Sequence, residues 1–169
     1  NYSNASGDSQ AFRRSLQGHN VLEVADGSAQ DTAAAANIIS YDSGIKTAYA
    51  IMDLTDVYSD DLKSFKRGIR LVENRSVGEI YDEIETYGEA VVVWRMNTEA
   101  DIELTDDDTG AVLTKNGKSI RLYLETNAES YTIAVDDTLP LSSYRNDGIK
   151  EIVITLEIED SAFISVRMG

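Results

Sequence analysis

The chain of 169 residues is 42% hydrophobic, enough for one substantial core with no surplus that calls for a second, so residues 1–169 are read as a single domain. Thirty acidic against fifteen basic residues give a formal net charge of -15, which weighs against a nucleic-acid backbone or an anionic membrane surface as partner. Cysteine is absent, which excludes a disulfide scaffold and leaves the compartment open, and no apolar run approaches membrane-spanning length.

Asn1 to Gln10 is small and polar, unlike a signal peptide, and reads as loop; the chain begins as if cut from something longer. Phe12 and the paired Arg13 and Arg14 follow. A strand runs from His19 to Val24 and is closed by the turn dipeptide Asp26-Gly27. Gln30 to Asn37, with four consecutive alanines, fits one short helical turn or, with its polar flanks, a surface loop, and the loop is the preferred reading. Ile38 to Tyr41 and Lys46 to Leu54 form two strands around Asp42-Ser43-Gly44, the second with Ala48, Ala50, Met52 and Leu54 on one face. Thr55 to Leu62 is acidic and irregular.

Leu62 to Thr98 reads as three consecutive strands, Ser64 to Val72, Val77 to Glu85 and Ala90 to Met96, and predicts a meander at the centre of a sheet. Period-two spacing puts Arg67 on the face of Phe65, Ile69 and Leu71, and Asp82 on the face of Ile80 and Ile84. An unpaired charge on an inward face is costly, so the two are expected to form a cross-strand pair. The third arm is apolar on both faces, as a strand covered on both sides is, and Trp94 belongs to the core.

Asp101 to Leu104 and Ala111 to Leu113 flank an acidic turn, and Asn116-Gly117 is a type I′ hairpin signature. Lys118 to Thr126 alternates, with Ile120, Leu122 and Leu124 inward. Ser130 to Val135 repeats the pattern, Pro140 sits in a polar connection, and Glu151 to Ile158 and Ala162 to Met168 are the last strands. About a dozen short strands without an amphipathic helix predict an all-β fold, an antiparallel two-layer β-sandwich.

His19 is the only histidine, and the ordinary reading is a hydrogen-bonded residue at a strand entrance. A zinc site takes about three protein ligands, which this chain could complete only with carboxylates or with residues outside it. A Ser15, His19, Asp26 triad lacks a nucleophile elbow. Asp106, Asp107 and Asp108 lack the alternating spacing of a calcium loop and read as a solvated hairpin tip. Tyr49 and Tyr123 are the better exposed aromatic candidates for stacking on a sugar. Arg13 and Arg14 could hold a carboxylate or sulfate of an acidic sugar through bidentate contacts, against the ordinary reading of pairing with the many acids. The acidic balance fits an anionic sugar only if the few basic residues cluster on one face.

Several segments together resemble the C-terminal β-sandwich of the heparinase II/III-like polysaccharide lyases, a group that includes related alginate lyases. They are Phe12-Arg13-Arg14 leading to His19-Asn20-Val21, Met52 to Tyr58, Phe65-Lys66-Arg67-Gly68-Ile69, Tyr81-Asp82-Glu83, and Val93 to Thr98. The resemblance implies a larger protein with an N-terminal α/α toroid as partner, an acidic, uronate-containing polysaccharide as substrate, and cleavage by β-elimination between the two parts. It implies that His19 is similar to a zinc ligand whose partners lie upstream, so that zinc belongs to the full-length protein and no complete site to this chain. The catalytic groups would also lie upstream, leaving this chain inactive by itself, and a periplasmic or secreted location is expected, with a cytoplasmic one as the alternative. One departure stands out, because the position before Thr98 often carries a histidine in that family and is Asn97 here. The rival readings are a stand-alone carbohydrate-binding module, with a row of solvent-facing aromatics, and a purely structural sandwich, with a large exposed apolar patch.

Overall fold

In the computed structural model residues 15–28, 30–136 and 148–169 are described; they form twelve strands, two short 3-10 turns and no α-helix. The strands are β1 (Leu22–Val24), β2 (Asn37–Ser43), β3 (Ala48–Asp53), β4 (Leu62–Val72), β5 (Val77–Thr86), β6 (Ala90–Thr98), β7 (Asp101–Leu104), β8 (Gly110–Lys115), β9 (Lys118–Thr126), β10 (Ser130–Asp136), β11 (Lys150–Ile158) and β12 (Ser161–Met168). They make two antiparallel sheets, one of four strands in the order β1-β6-β11-β10 and one of eight in the order β2-β3-β4-β5-β12-β9-β8-β7. The all-β sandwich expected from the alternation is the fold.

The predicted meander is the main correction. β4 and β5 pair through a turn in which Glu73, Asn74 and Arg75 all take positive φ, but β6 leaves for the other sheet and pairs with β1 and β11. The crossing at Tyr87-Gly88-Glu89 is as short as a hairpin turn, so length could not reveal it. A second crossing, between β11 and β12 at Glu159-Asp160, lies beside the first, since β5 pairs with β12 and β6 with β11. Thr86 ties the corners together: its backbone N–H donates to the Asp160 carbonyl at 2.8 Å and its buried hydroxyl to the same oxygen at 3.1 Å.

Other differences are local. The first strand begins at Leu22, because Leu16–Gly18 forms a 3-10 turn whose end is closed by the His19 N–H on the Leu16 carbonyl. Thr55–Tyr58 is a second such turn, started by the Asp53 carboxylate accepting the Thr55 N–H, and Leu62 already belongs to β4. β2 is longer than expected and carries an irregularity at Ile38/Ser40. Ile120, expected inward, is half-exposed at the sheet's end. Asn116 and Gly117 take the positive φ that the hairpin signature requires.

The core lies between the sheets. Val92, Trp94 and Met96 of β6 and Ile152, Ile154, Leu156 and Ile158 of β11 face Phe65, Ile84, Leu122, Ile164 and Val166 of the wide sheet. Each large apolar side chain fully buried there contributes roughly 1.5–3 kcal/mol. The outer face of β6 is only half-covered, with Val91 exposed, so the strand is apolar on both sides without being buried on both.

Candidate functional site

The predicted charge pair organises one end of this core. Arg67 and Asp82 are register partners, and the guanidinium grips the carboxylate with two bonds, Nε to Oδ1 at 2.7 Å and Nη2 to Oδ2 at 2.6 Å. Asp82 is fully buried; burial pushes its carboxyl above the ordinary value, against the pull of Arg67 and the neighbouring Trp94 side chain. The third guanidinium nitrogen, Nη1, donates to the Asn20 carbonyl at 3.0 Å. Asn20 in turn accepts the Asn97 backbone N–H on its side-chain oxygen at 2.8 Å. Tyr58, packed edge-on against Phe65, donates its hydroxyl to the Leu22 carbonyl at 2.7 Å and holds the next residues of the same segment. The His19-Asn20-Val21, Met52-to-Tyr58, Arg67, Asp82 and Trp94-to-Thr98 segments are thus one connected cluster.

Beside this cluster opens a cleft of about 380 Å³ at the end of the sandwich, lined by Asn20, Met96, Asn97, Thr98, Ser119 and Met168, with Lys115 and Lys118 on its wall. Lys115 forms an ion pair with Glu99, while Lys118 has no carboxylate partner among the described residues. Asn97 lies across from Glu151 on the outward face of the small sheet. There Arg95 joins two acids, donating Nη1 to Glu151 at 3.0 Å and Nε to Glu23 at 3.1 Å. Glu151 is fully buried, and burial pushes its carboxyl above the ordinary value in spite of Arg95.

The opposite end is different in kind. A cleft of about 810 Å³ lies where β1 ends and β6 begins, lined by Asp26, Asp60, Asp61, Glu89, Glu129, Glu157 and Glu159 and by no Lys or Arg among the described residues. Asp61 there accepts the Ser28 N–H at 2.8 Å.

Among the sequence candidates, Arg13 and Arg14 lie outside the described residues, as does Pro140. His19 is exposed, next to Asn20. Among the described residues no three His, Cys, Asp or Glu side chains come together as a metal-binding group, so the donors described here do not by themselves fit a zinc ion. Asp107 is held at about 2 by hydrogen bonds with Thr105 and Thr109, which is a self-satisfied acidic tip. Tyr49 and Tyr123 are exposed on the outward face of the wide sheet, as expected, where the rings of Tyr81, Phe163 and Tyr123 have partners. Tyr81 stacks on Phe163 at 5.6 Å, Arg70 lies over Tyr81 and Arg121 over Tyr123. Lys118 and Ser119 were not legible as site residues, because only the fold brings the β8–β9 hairpin to the end of β6.

Residues 1–166 match the family described as heparinase II/III-like, C-terminal. Among solved structures, the chain is similar to heparan sulfate lyase HepC from Pedobacter heparinus, with a TM-score of 0.70 and 12% identity over 96% of this chain and 26% of that one. It is also similar to a structure titled heparinase III, BT4657 gene product, with a TM-score of 0.66 and 13% identity over 88% of this chain and 23% of that one. The chain therefore spans about a quarter of the length of these structures. No curated protein matches it.

Proposed function

This chain belongs to the heparinase II/III-like family, as its C-terminal region, and we propose from that premise that it forms one wall of the substrate groove of a larger polysaccharide lyase. The observation that carries the reading is the linked cluster from Asn20 through Arg67, Asp82 and Asn97, which fixes one wall of a small cleft whose lining holds lysines and no carboxylate among the described residues, in a strongly acidic protein. The substrate class is a uronate-containing, anionic glycan, and the reaction of the whole protein is β-elimination.

In that reaction the proton next to the uronate carboxyl leaves, and positioned donors or charges stabilise the enolate that develops. The cleft holds and orients rather than reacts. The Lys118 ammonium meets a carboxylate or sulfate, and Ser119 adds a hydroxyl, while Asn97 is tied to Asn20 and shapes the wall. On this reading the base for the proton transfer comes from the part of the larger protein outside this chain. If zinc belongs to the full-length protein, His19 supplies one exposed imidazole and the other donors come from outside these residues. A bacterial, periplasmic or secreted location goes with a polysaccharide substrate.

Steady-state kinetics of the full-length protein test the reading. Lys118→Glu is expected to raise KM for a uronate-containing polysaccharide several-fold with little change in kcat, while Glu129→Lys in the acidic cleft changes neither. Equal effects at the two ends would overturn it.

A further inference from the structure

The eight-stranded sheet is twice as wide as the sheet facing it, and register shows which surface is left over. Tyr41 pairs with Ala50, Ala50 with Ile69, Ile69 with Ile80 and Ile80 with Val166, so all share the inward face. That row is fully buried at Val166, 48% exposed at Ile69 and 77% exposed at Tyr41. Ile38, at 62%, and Leu71, at 39%, lie on the same face through Met52 and Ala48. Between Arg67 and the outer edge of β2 this face carries no charged side chain.

The small sheet cannot be widened over it. The outward carbonyls of its β1 side are taken, that of Asn20 by Arg67, that of Leu22 by the Tyr58 hydroxyl and that of Val24 by the Gly27 N–H. What covers the face must pack side chain on side chain.

We propose that this inward face of β2, β3 and β4 is the seat of the part of the same polypeptide that precedes residue 1. The inference rests on reading the chain as the C-terminal region of a longer lyase. The solved relatives carry about three quarters of their length outside the part this chain matches, and the matching family region is the C-terminal one. An uncharged apolar face continuous with the core suits a permanently tethered partner and offers little to an anionic glycan. It also leads to the candidate site, because Leu71 pairs with Gly78 and Gly78 with Met168, which lines the Asn20–Asn97 cleft. The body seated there is the second wall of the groove.

Site-specific photocrosslinking in the full-length protein is the test. A benzoylphenylalanine at position 41 in place of Tyr41, or at position 38 in place of Ile38 if the first variant does not accumulate, is expected to link within one molecule to a peptide that precedes Asn1. The same label in place of Tyr123, on the outward face, is expected to give no such link. A link from position 41 to a second copy or to residues after Asn1, or a yield equal to that at position 123, overturns the proposal. If Lys118→Glu raises KM while position 41 gives no link to the preceding segment, the groove-wall reading stands and this one falls; the reverse pair of results separates them the other way.

Discussion

The two ends of the sandwich are built on the same strands and differ almost entirely in charge. β6 runs from the acidic cleft at Ala90 to the neutral-to-basic cleft at Thr98, a span of about 27 Å at the rise of an extended strand. At one end seven carboxylates line a cleft that holds no Lys or Arg among the described residues, and at the other a largely buried arginine and two asparagines are held by hydrogen bonds beside Lys118, which has no carboxylate partner among the described residues. The separation exceeds the Debye length of about 8 Å at physiological ionic strength, so each end presents its own field to a ligand. A net charge of -15 therefore says little about what either end can bind.

The largest test of this contrast is at Arg67. Arg67→Ala leaves Asp82 buried and unpaired and frees the Asn20 carbonyl, and is expected to cost about 3–5 kcal/mol in equilibrium denaturation. The double change Arg67→Met with Asp82→Leu should recover most of that, because two apolar side chains replace the pair; a double variant no more stable than the single would show that the ion pair itself is required. Next in size, Asn20→Ala removes the acceptor of the Asn97 N–H and is expected to cost about 1 kcal/mol. Amide exchange at Asn97 should quicken while the Ser28 amide, held by Asp61 at the other end, keeps its rate. Uniform loosening of both amides would erase the distinction between the ends.

Neutralising the acidic cleft has a smaller and opposite effect. Glu89→Gln with Glu129→Gln relieves repulsion and is expected to raise the thermal midpoint by about 1–2 °C at low salt, with the gain vanishing at high salt. The smallest effect is in acid. Hydrogen bonds from Arg70, with Ser165 adding to them, hold the Glu79 carboxyl below its ordinary 4.5. Its folded value lies below its unfolded value, so its contribution is fully present above pH 4.5 and is lost as pH falls through the folded value. Glu79→Gln should flatten the stability-versus-pH curve below 4.5 and leave it unchanged in slope at neutrality. An unaltered acid limb would show that Arg70 does not hold the carboxylate.

Local chemistry was readable, and placement in three dimensions was not. Alternation and turn dipeptides located most strands, and the inward positions of Arg67 and Asp82 predicted their pairing before any register was known. The Asn116-Gly117 turn followed from its φ requirement. The departure of β6 was invisible, because a short polar turn serves a hairpin and a crossing between layers equally well. The site was half-legible for the same reason. Asn20 and Asn97 belonged to segments that stood out by resemblance, whereas Lys118 and Ser119 reach the cleft only because an ordinary hairpin ends there. Exposure of Ile69, Leu71 and Tyr41 was equally unreadable, since their spacing is that of core residues and only the narrowness of the facing sheet leaves them bare.

The position of β12 in the wide sheet has a kinetic consequence. It lies between β5 and β9, so the half formed by β2 to β5 and the half formed by β7 to β9 are joined through this one strand, whose neighbours come from residues 78–85 and 122–126. During synthesis each half can assemble as hairpins from nearby sequence, but neither can merge with the other until Ser161–Met168 has emerged. Such distant pairings place the rate-limiting ordering late and make folding slow for the chain's length. Until then the two half-sheets present unpaired edges, which makes the nascent protein most vulnerable to misassociation just before the strand that unites them arrives.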